Sequence, residues 1–173
     1  MSRTRPALSR RVVLSAGLAM LAGAAEAADP LHRGSETGLN LPRFASVKAR
    51  VANLRRGPGR RYPIAWVYRR RGLPVLILRE FGHWRLLRLP DGTSGWMHRG
   101  LLTRERRFVV VAKGTVLRAA PKDTARPVAQ LHVGVTGKLG HCDATAAWCT
   151  VTSHGYDGFV HRSQIWGSDA DAP

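Results

Sequence analysis

Two cysteines, Cys142 and Cys149, have the residue type and spacing best suited to chemistry in this chain. They lie at the ends of a short segment rich in small residues, between two β-rich stretches. Cross-strand neighbours reach the Cα spacing that a disulfide requires, and closing so short a loop stabilises a fold by roughly 2–3 kcal/mol. The pattern predicts a Cys142–Cys149 disulfide if the protein matures in an oxidising compartment.

Two other uses of these cysteines are open. With His141 and His154 they would make four zinc ligands, although adjacent residues such as His141 and Cys142 point to opposite faces of a strand. A catalytic pair of cysteine and histidine is the second use, and it requires a free thiolate. We expect neither a metal nor a cofactor.

Acidic residues are too few in the first half of the chain for catalysis by paired carboxylates. Residues 41–103 contain only Glu80 and Asp91, and Asp91 is explained by the turn in which it lies. A hydrolase of that type needs two carboxyl groups beside one bond. The seven histidines show no His-x-x-x-His spacing. We therefore expect a binding protein without catalytic residues, and a hydrolase with an unrecognised site is the least favoured alternative.

Arginine and aromatic residues form the strongest candidate for a ligand-binding surface. Two arginine-rich loops flank a segment of alternating aromatic residues, and guanidinium groups bind carboxylates and phosphates through paired hydrogen bonds. An anionic polymer is therefore the expected ligand class. The predicted ligand-binding residues are Arg55, Arg56, Arg60, Arg61, Tyr62, Trp66, Tyr68, Arg69, Arg70 and Arg71.

The charge of the chain is strongly positive and unevenly distributed. Its 28 Lys and Arg residues outnumber 11 Asp and Glu residues, which makes a formal net charge of +17. Residues 41–103 hold fourteen basic and two acidic residues, whereas residues 104–173 hold nine and six. Such a field favours acidic partners, and a solvated basic surface set by composition alone is the alternative. We expect no nucleic-acid ligand.

The clearest secondary-structure element in the sequence is a predicted β-hairpin over residues 84–98. The large apolar residues from Trp84 to Leu89 are typical of a strand. Residues 90–92 have the composition of a turn, and residues 94–97 return as a second short strand.

The hairpin is repeated about sixty residues later. At a spacing of 63 residues, the Gly-aromatic pair and the following histidine recur, and residues 53–58 align with residues 116–121. The chain is therefore predicted to be a tandem repeat, and His98 and His161 are expected to cap equivalent turns. The residues assigned structural roles in the two hairpins and their cores are Trp84, Gly95, Trp96, Trp148, Gly158 and Phe159.

The N-terminal segment, residues 1–27, is typical of a cleaved signal peptide. Four arginines precede an uncharged apolar run over residues 12–25, and a small-x-small pattern follows it. The run is shorter than the roughly twenty residues that span a bilayer, so a membrane anchor is the less favoured alternative. Residues 9–14 also resemble a twin-arginine signal. We expect no membrane span after signal removal, and a flexible lead-in over residues 28–43.

The order of these motifs resembles bacterial SH3-like domains. The family's recurring pattern is matched by the start at residues 53–58, by Gly72 before a β-rich run, by Trp84 opening a strand, and by the end at residues 91–96. The second unit departs from the pattern at Phe159, which replaces the final tryptophan.

The resemblance covers residues 41–167 and implies an all-β protein of two small SH3-like barrels. The predicted domains are residues 44–104 and 105–167, followed by a tail over residues 168–173. Bacterial SH3-like domains often bind peptidoglycan or other envelope components, which implies a non-catalytic module in the periplasm or cell envelope. The alternative partner is an envelope protein, for which the chain would act as an adaptor. The sequence does not indicate an oligomeric state.

Overall fold

The fold is described by a computed structural model over residues 32–142 and 147–168. The predicted signal segment, the residues between the cysteines at 143–146, and the predicted tail beyond residue 168 lie outside the described residues. Within the described part, no helix has the length and apolar character needed to cross a bilayer.

The first unit is a seven-stranded antiparallel sheet preceded by a two-stranded ribbon. The ribbon consists of β1 (His32–Arg33) and β2 (Asn40–Leu41). The sheet consists of β3 (Arg43–Val47), β4 (Ala52–Arg55), β5 (Ile64–Tyr68), β6 (Pro74–Phe81), β7 (Trp84–Arg88), β8 (Ser94–His98) and β9 (Leu102–Thr103). Its spatial order is β5-β4-β8-β7-β6-β3-β9, and a 3-10 turn over Arg99–Leu101 joins β8 to β9.

The second unit repeats this sheet strand for strand. It consists of β10 (Arg107–Val110), β11 (Thr115–Arg118), β12 (Pro127–Leu131), β13 (Thr136–Leu139), β14 (Trp148–Ser153), β15 (Tyr156–His161) and β16 (Ile165–Trp166). The spatial order is β12-β11-β15-β14-β13-β10-β16, and a 3-10 turn over Arg162–Gln164 precedes the last strand. The correspondence confirms the predicted tandem repeat and the all-β fold class.

Side chains alternate between the interior and the outer face along the central hairpins. In the first unit Leu87 and Met97 are fully buried, and their neighbours Leu86 and Trp96 are only half-buried. Each unit has its own hydrophobic core. The aromatic residues predicted as core or semi-buried packing residues are half-buried on the outer face: Trp84, Trp96, Trp148 and Phe159.

The flexible lead-in predicted for residues 28–43 is corrected in its described part. Leu41 is 1% exposed and belongs to the first hydrophobic core. The carboxylate of Glu80 in β6 accepts hydrogen bonds from the backbone N–H groups of Glu36 and Thr37, both at 2.9 Å, and from the Thr37 hydroxyl at 2.8 Å. These contacts attach the ribbon to the first unit, and composition alone does not reveal them.

Cys142 and Cys149 form the predicted disulfide, with a Cα–Cα distance of 4.5 Å. The bond leaves neither residue as a zinc ligand or a free thiolate. Arg85 of β7 occupies the position of Cys149 of β14, since each residue follows the tryptophan that begins its strand. Arg85 lies opposite Glu80 of β6 in the first unit. In the second unit, β14 is linked instead by the disulfide to Cys142, which lies just beyond the end of β13.

The two units contact each other through an aromatic pair and a backbone-directed arginine. The rings of Phe44 and Trp166 meet edge to face with centroids 4.9 Å apart. Arg70 Nη1 donates to the carbonyl oxygen of Gly134 at 2.6 Å. The aromatic contact covers surface that a unit of this size would otherwise expose.

Candidate functional site

An aromatic ring and an imidazole face each other on the outer surface of each central hairpin. Trp84 is paired with His98 across β7 and β8, and Trp148 with His161 across β14 and β15. The ring centroids are 5.5 and 5.4 Å apart, and both pairs meet edge to face. The same register therefore places a tryptophan and a histidine side by side at equivalent positions in both units.

An arginine at the end of β4 and its counterpart at the end of β11 hold the neighbouring loops. Arg55 Nη1 donates to the carbonyl oxygens of Arg60 and Tyr62 at 3.0 and 2.7 Å. Arg118 Nη1 donates to the carbonyl oxygen of Ala125 at 2.9 Å, the residue equivalent to Tyr62. The arginine of the repeated Leu-Arg motif thus orders a loop beside each tryptophan–histidine pair.

These groups surround one surface cavity in each unit. The first cleft has a volume of about 220 Å³ and is lined by Asn53, Arg55, Arg60, Trp84, His98 and Leu101. The second cleft has a volume of about 140 Å³ and is lined by Gly114, Val116, Arg118, Asp123, Trp148, His161, Ser163 and Gln164. Each cleft offers an aromatic wall, an imidazole and a guanidinium to one small ligand group.

The two clefts differ in charge at one equivalent position. Arg60 lines the first cleft, whereas Asp123 occupies the corresponding place in the second. Burial lowers the pKa of His98, and the positive charges of His83 and Arg60 lower it further. The first cleft is therefore positive through its arginines while its histidine favours the neutral form.

The two histidines also bind the 3-10 turns that follow them. His98 Nδ1 accepts a hydrogen bond from the backbone N–H of Gly100 at 3.1 Å, which confirms the predicted cap. His161 makes no such bond to the backbone, and its Nδ1 lies 2.7 Å from Ser163 Oγ. The Nδ1 atom of His98 is thus an acceptor, which leaves Nε2 as the protonated nitrogen of the neutral ring.

A glycine allows the first strand of each cleft to approach the hairpin closely. A Cβ atom on Gly95 would lie 2.7 Å from Leu54 Cγ and 3.0 Å from the Arg55 carbonyl oxygen. A Cβ atom on Gly158 would lie 2.6 Å from the carbonyl oxygen of Arg118. Only glycine fits without displacing the strand that carries the cleft arginine.

The structure divides the residues predicted to bind a ligand. Arg55 and Arg60 line the first cleft, and Arg56 and Arg61 are exposed on the same loop. The guanidinium of Arg61 lies 5.3 Å from the centroid of the Tyr62 ring. The first arginine-rich loop therefore contributes to a cavity, although Arg55 is already engaged in holding that loop.

The second arginine-rich loop lies at the opposite end of β5, a strand of five residues. Arg70 binds Gly134 of the second unit, and Arg71 lines a small cavity with Glu105 and Arg107. Arg69 is exposed. The two loops thus do not form one surface, and ligand binding by these residues stays a prediction.

The aromatic residues between the loops also face different environments. Trp66 is 60% exposed on the edge strand β5. Tyr68 packs partly against the first core, and its pKa is raised mainly by burial and also by the charge of Asp91. The sequence predicted structural roles for Trp84 and His98 and did not place them together in a cleft. The signal was present in the repeat, because both units have a tryptophan and a histidine at matching positions.

The comparisons with known proteins agree with the repeated architecture. The family model described as "Bacterial SH3 domain" matches residues 48–103 and 111–167. No curated protein matches the sequence.

Two solved structures, of NlpC2 and NlpC1 from Trichomonas vaginalis, are similar to the chain, each with 9% identity and a TM-score of 0.33. The alignments cover 72% and 78% of this chain and 47% and 49% of theirs. The chain therefore spans about half the length of these structures.

Proposed function

The chain belongs to the bacterial SH3 domain family, whose domains are binding modules, and we propose that this member is a non-catalytic module that binds peptidoglycan or another anionic component of the cell envelope. The recurrence of one tryptophan–histidine–arginine cleft in both units is the observation that carries this proposal. A tandem of equivalent clefts suits a ligand that is itself a repeating polymer, because binding at the second cleft becomes intramolecular.

The chemistry of the first cleft favours an anionic group on that polymer. Arg60 is exposed at the rim, and its guanidinium suits paired hydrogen bonds to a carboxylate. Trp84 offers an apolar face beside it. Peptide carboxylates of the cell wall are the proposed ligand groups.

The proposed location is the periplasm or cell envelope. The Cys142–Cys149 disulfide is consistent with an extracytoplasmic protein, because such bonds persist in oxidising compartments. The signal peptide predicted over residues 1–27 supports the same location.

Replacing Arg60 by serine is expected to weaken binding to purified sacculi about tenfold or more, since a hydrogen bond to a charged group contributes roughly 1.5–3 kcal/mol. Arg56→Ser is the matched control, because it removes the same charge from the same loop at a position that does not line the cleft. Co-sedimentation with sacculi over a series of salt concentrations measures both affinities.

If the two variants lose the same affinity and modest salt abolishes the remaining binding, only non-specific attraction by the basic surface operates. Clearing of peptidoglycan in a zymogram of the native protein would contradict the non-catalytic part of the proposal.

A protein–protein adaptor is the second candidate function, and the edge strand β5 favours it. Ile64 and Trp66 of this strand are 46% and 60% exposed. An edge strand offers unpaired backbone groups to which a partner segment can add as a further strand. A partner in this case would be an envelope protein with an extended apolar segment.

Photo-crosslinking from position 66 tests this second candidate. With a photoreactive phenylalanine derivative in place of Trp66, we expect one discrete protein adduct in intact cells if the adaptor function operates. The control is the same derivative at Tyr156, an aromatic residue of the second unit that is 56% exposed. Identical adduct patterns from both positions would rule out a specific partner at β5.

A further inference from the structure

A groove in the first unit, separate from the first cleft, concentrates arginines around an apolar wall. It lies between the ribbon and the end of the sheet and has a volume of about 710 Å³. We call it the arginine groove, and its argument rests on Arg43, Arg85, Arg99 and Arg104, with Leu39 and Leu102 among its apolar residues. None of these arginines lines the first cleft.

The carboxylate of Glu80 faces this cluster, and its oxygens are already engaged. Glu80 Oε1 lies 2.8 Å from Arg43 Nη2 and 3.4 Å from Arg85 Nε, and the side chain is fully buried. Its other oxygen accepts the two backbone hydrogen bonds from the ribbon. Glu80 offsets one of the four positive charges and Glu36 is a second carboxylate that acts on Arg85, so guanidinium groups outnumber carboxylates around the groove.

The arginines are crowded as well as numerous. The side chain of Arg85 is 3% exposed, and its Nη1 donates to two backbone carbonyls at 2.8–2.9 Å. Burial lowers the pKa of Arg85, and the nearby charges of Arg43 and Arg99 lower it further, against the opposing effect of Glu80. Like charges in a concave, partly apolar site are costly unless an anion joins them.

Arg43 provides independent evidence that an acceptor can bind in the groove, because one of its donors is unsatisfied within the described part of the chain. Its Nη2 binds Glu80, whereas its Nη1 is buried and has no hydrogen-bond partner among the described residues. A buried donor without a partner carries an uncompensated desolvation cost. An acceptor bound beside Arg43 would recover that cost.

The full set of four groove arginines occurs only in the first unit. The position of Arg85 is occupied in the second unit by Cys149, and that of Arg104 by Gly167. Arg43 and Arg99 recur as Arg106 and Arg162, so Arg85 and Arg104 are what the first unit adds to the repeated pattern.

We propose that the arginine groove is a binding site for a phosphate monoester group. A phosphate monoester has a charge of about −2 near neutral pH and three acceptor oxygens, which matches the surplus of guanidinium groups better than a single carboxylate does. Leu39 and Leu102 would contact the apolar part of a ligand that bears the phosphate. This site does not depend on the proposed function of the clefts.

Titration of the protein with inorganic phosphate, followed by calorimetry, tests the proposal. We expect saturable binding that acetate at equal ionic strength does not reproduce. The double variant Arg99→Gln/Arg104→Gln is expected to bind phosphate at least about tenfold more weakly. Both side chains are exposed at the rim, so thermal unfolding of this variant should match that of the native protein.

The matched control is Arg56→Gln/Arg69→Gln, which removes the same charge at exposed positions outside the groove. It should retain phosphate affinity, as should Arg60→Ser, which affects only the first cleft. Failure of the clefts to bind sacculi would leave this result unchanged. The proposal is overturned by equal losses in both double variants, by equal binding of acetate, or by the absence of saturable phosphate binding up to roughly 10 mM.

Vesicle flotation identifies the source of the phosphate group once saturable binding is established. Phosphatidylcholine vesicles containing phosphatidic acid should carry the native protein if the source is a lipid headgroup, with inorganic phosphate displacing it. Absence of the protein from these vesicles assigns the site to a soluble phosphate monoester.

Discussion

Replacing Glu80 by glutamine should destabilise the first unit by roughly 3 kcal/mol or more, because it leaves the buried Arg85 and the half-buried Arg43 without their counter-ion. The change also weakens the hydrogen bonds that attach the ribbon to β6. In a unit of this size such a loss corresponds to a decrease in Tm of about 10 °C or more. Calorimetry measures the total effect, and hydrogen exchange resolved by segment should locate it in the first unit.

The effect of Glu80→Gln should depend on pH in a defined direction. Burial favours the neutral acid, but hydrogen bonds from Thr37, Arg43 and the Glu36 backbone, with the charge of Arg85, outweigh it and lower the pKa of Glu80 from 4.5 to about 2. A carboxylate with a lowered pKa stabilises the fold fully above its unfolded pKa and loses that contribution as pH falls through its folded pKa. The stability difference between native protein and variant should therefore be constant above about pH 5 and shrink between pH 4.5 and 2.

Glu105→Gln is the matched control for this prediction. Its side chain is 41% exposed and pairs with Arg107 at 3.2 Å, an exposed ion pair that contributes at most about 1 kcal/mol. A stability difference that stays constant down to pH 2, or one no larger than that of the control, would show that the Glu80 carboxylate does not stabilise the first unit through its charge.

Removal of the disulfide should destabilise the second unit by roughly 2–4 kcal/mol. The variant Cys142→Ser/Cys149→Ser places two hydroxyl groups at sites that are 7% and 0% exposed, in the second hydrophobic core. Because the first core contains neither cysteine, its hydrogen-exchange protection should be largely unaffected.

The disulfide can also be broken without mutation, by chemical reduction. A reducing agent should lower the Tm of the native protein and leave that of the double serine variant unchanged. The intact mass of the purified protein should be two hydrogens below the reduced value. Labelling of both cysteines by a thiol reagent in the native, unreduced protein would contradict the disulfide.

Much of the fold could be predicted from the sequence, because its determinants are local. Alternating apolar residues, the turn at residues 90–92 and the spacing of 63 residues between equivalent motifs depend only on neighbouring positions or on repetition. The disulfide was predictable for the same reason, since Cys142 and Cys149 close a short loop between adjacent strands. These features determine two all-β units in tandem.

The distribution of the arginines was decided by tertiary structure. Charge runs in the sequence grouped Arg55 and Arg60 with Arg70 and Arg71, but these residues lie at opposite ends of β5. One pair lines the first cleft, and the other faces the second unit. Sequence proximity across a strand does not imply a shared surface, because an extended chain moves about 3.3 Å per residue.

The sequence by itself determined the strands, the repeat and the pair of cysteines, since each follows from local pattern. Tertiary structure alone decided the role of Glu80, whose partners lie 37 and 43 residues away at Arg43 and Thr37. It likewise decided that Trp84 and His98 form a cleft with an arginine from another strand. Contacts of this kind depend on strand register and on which residues face inward, and a buried carboxylate is favourable only where folding brings its cations and donors together.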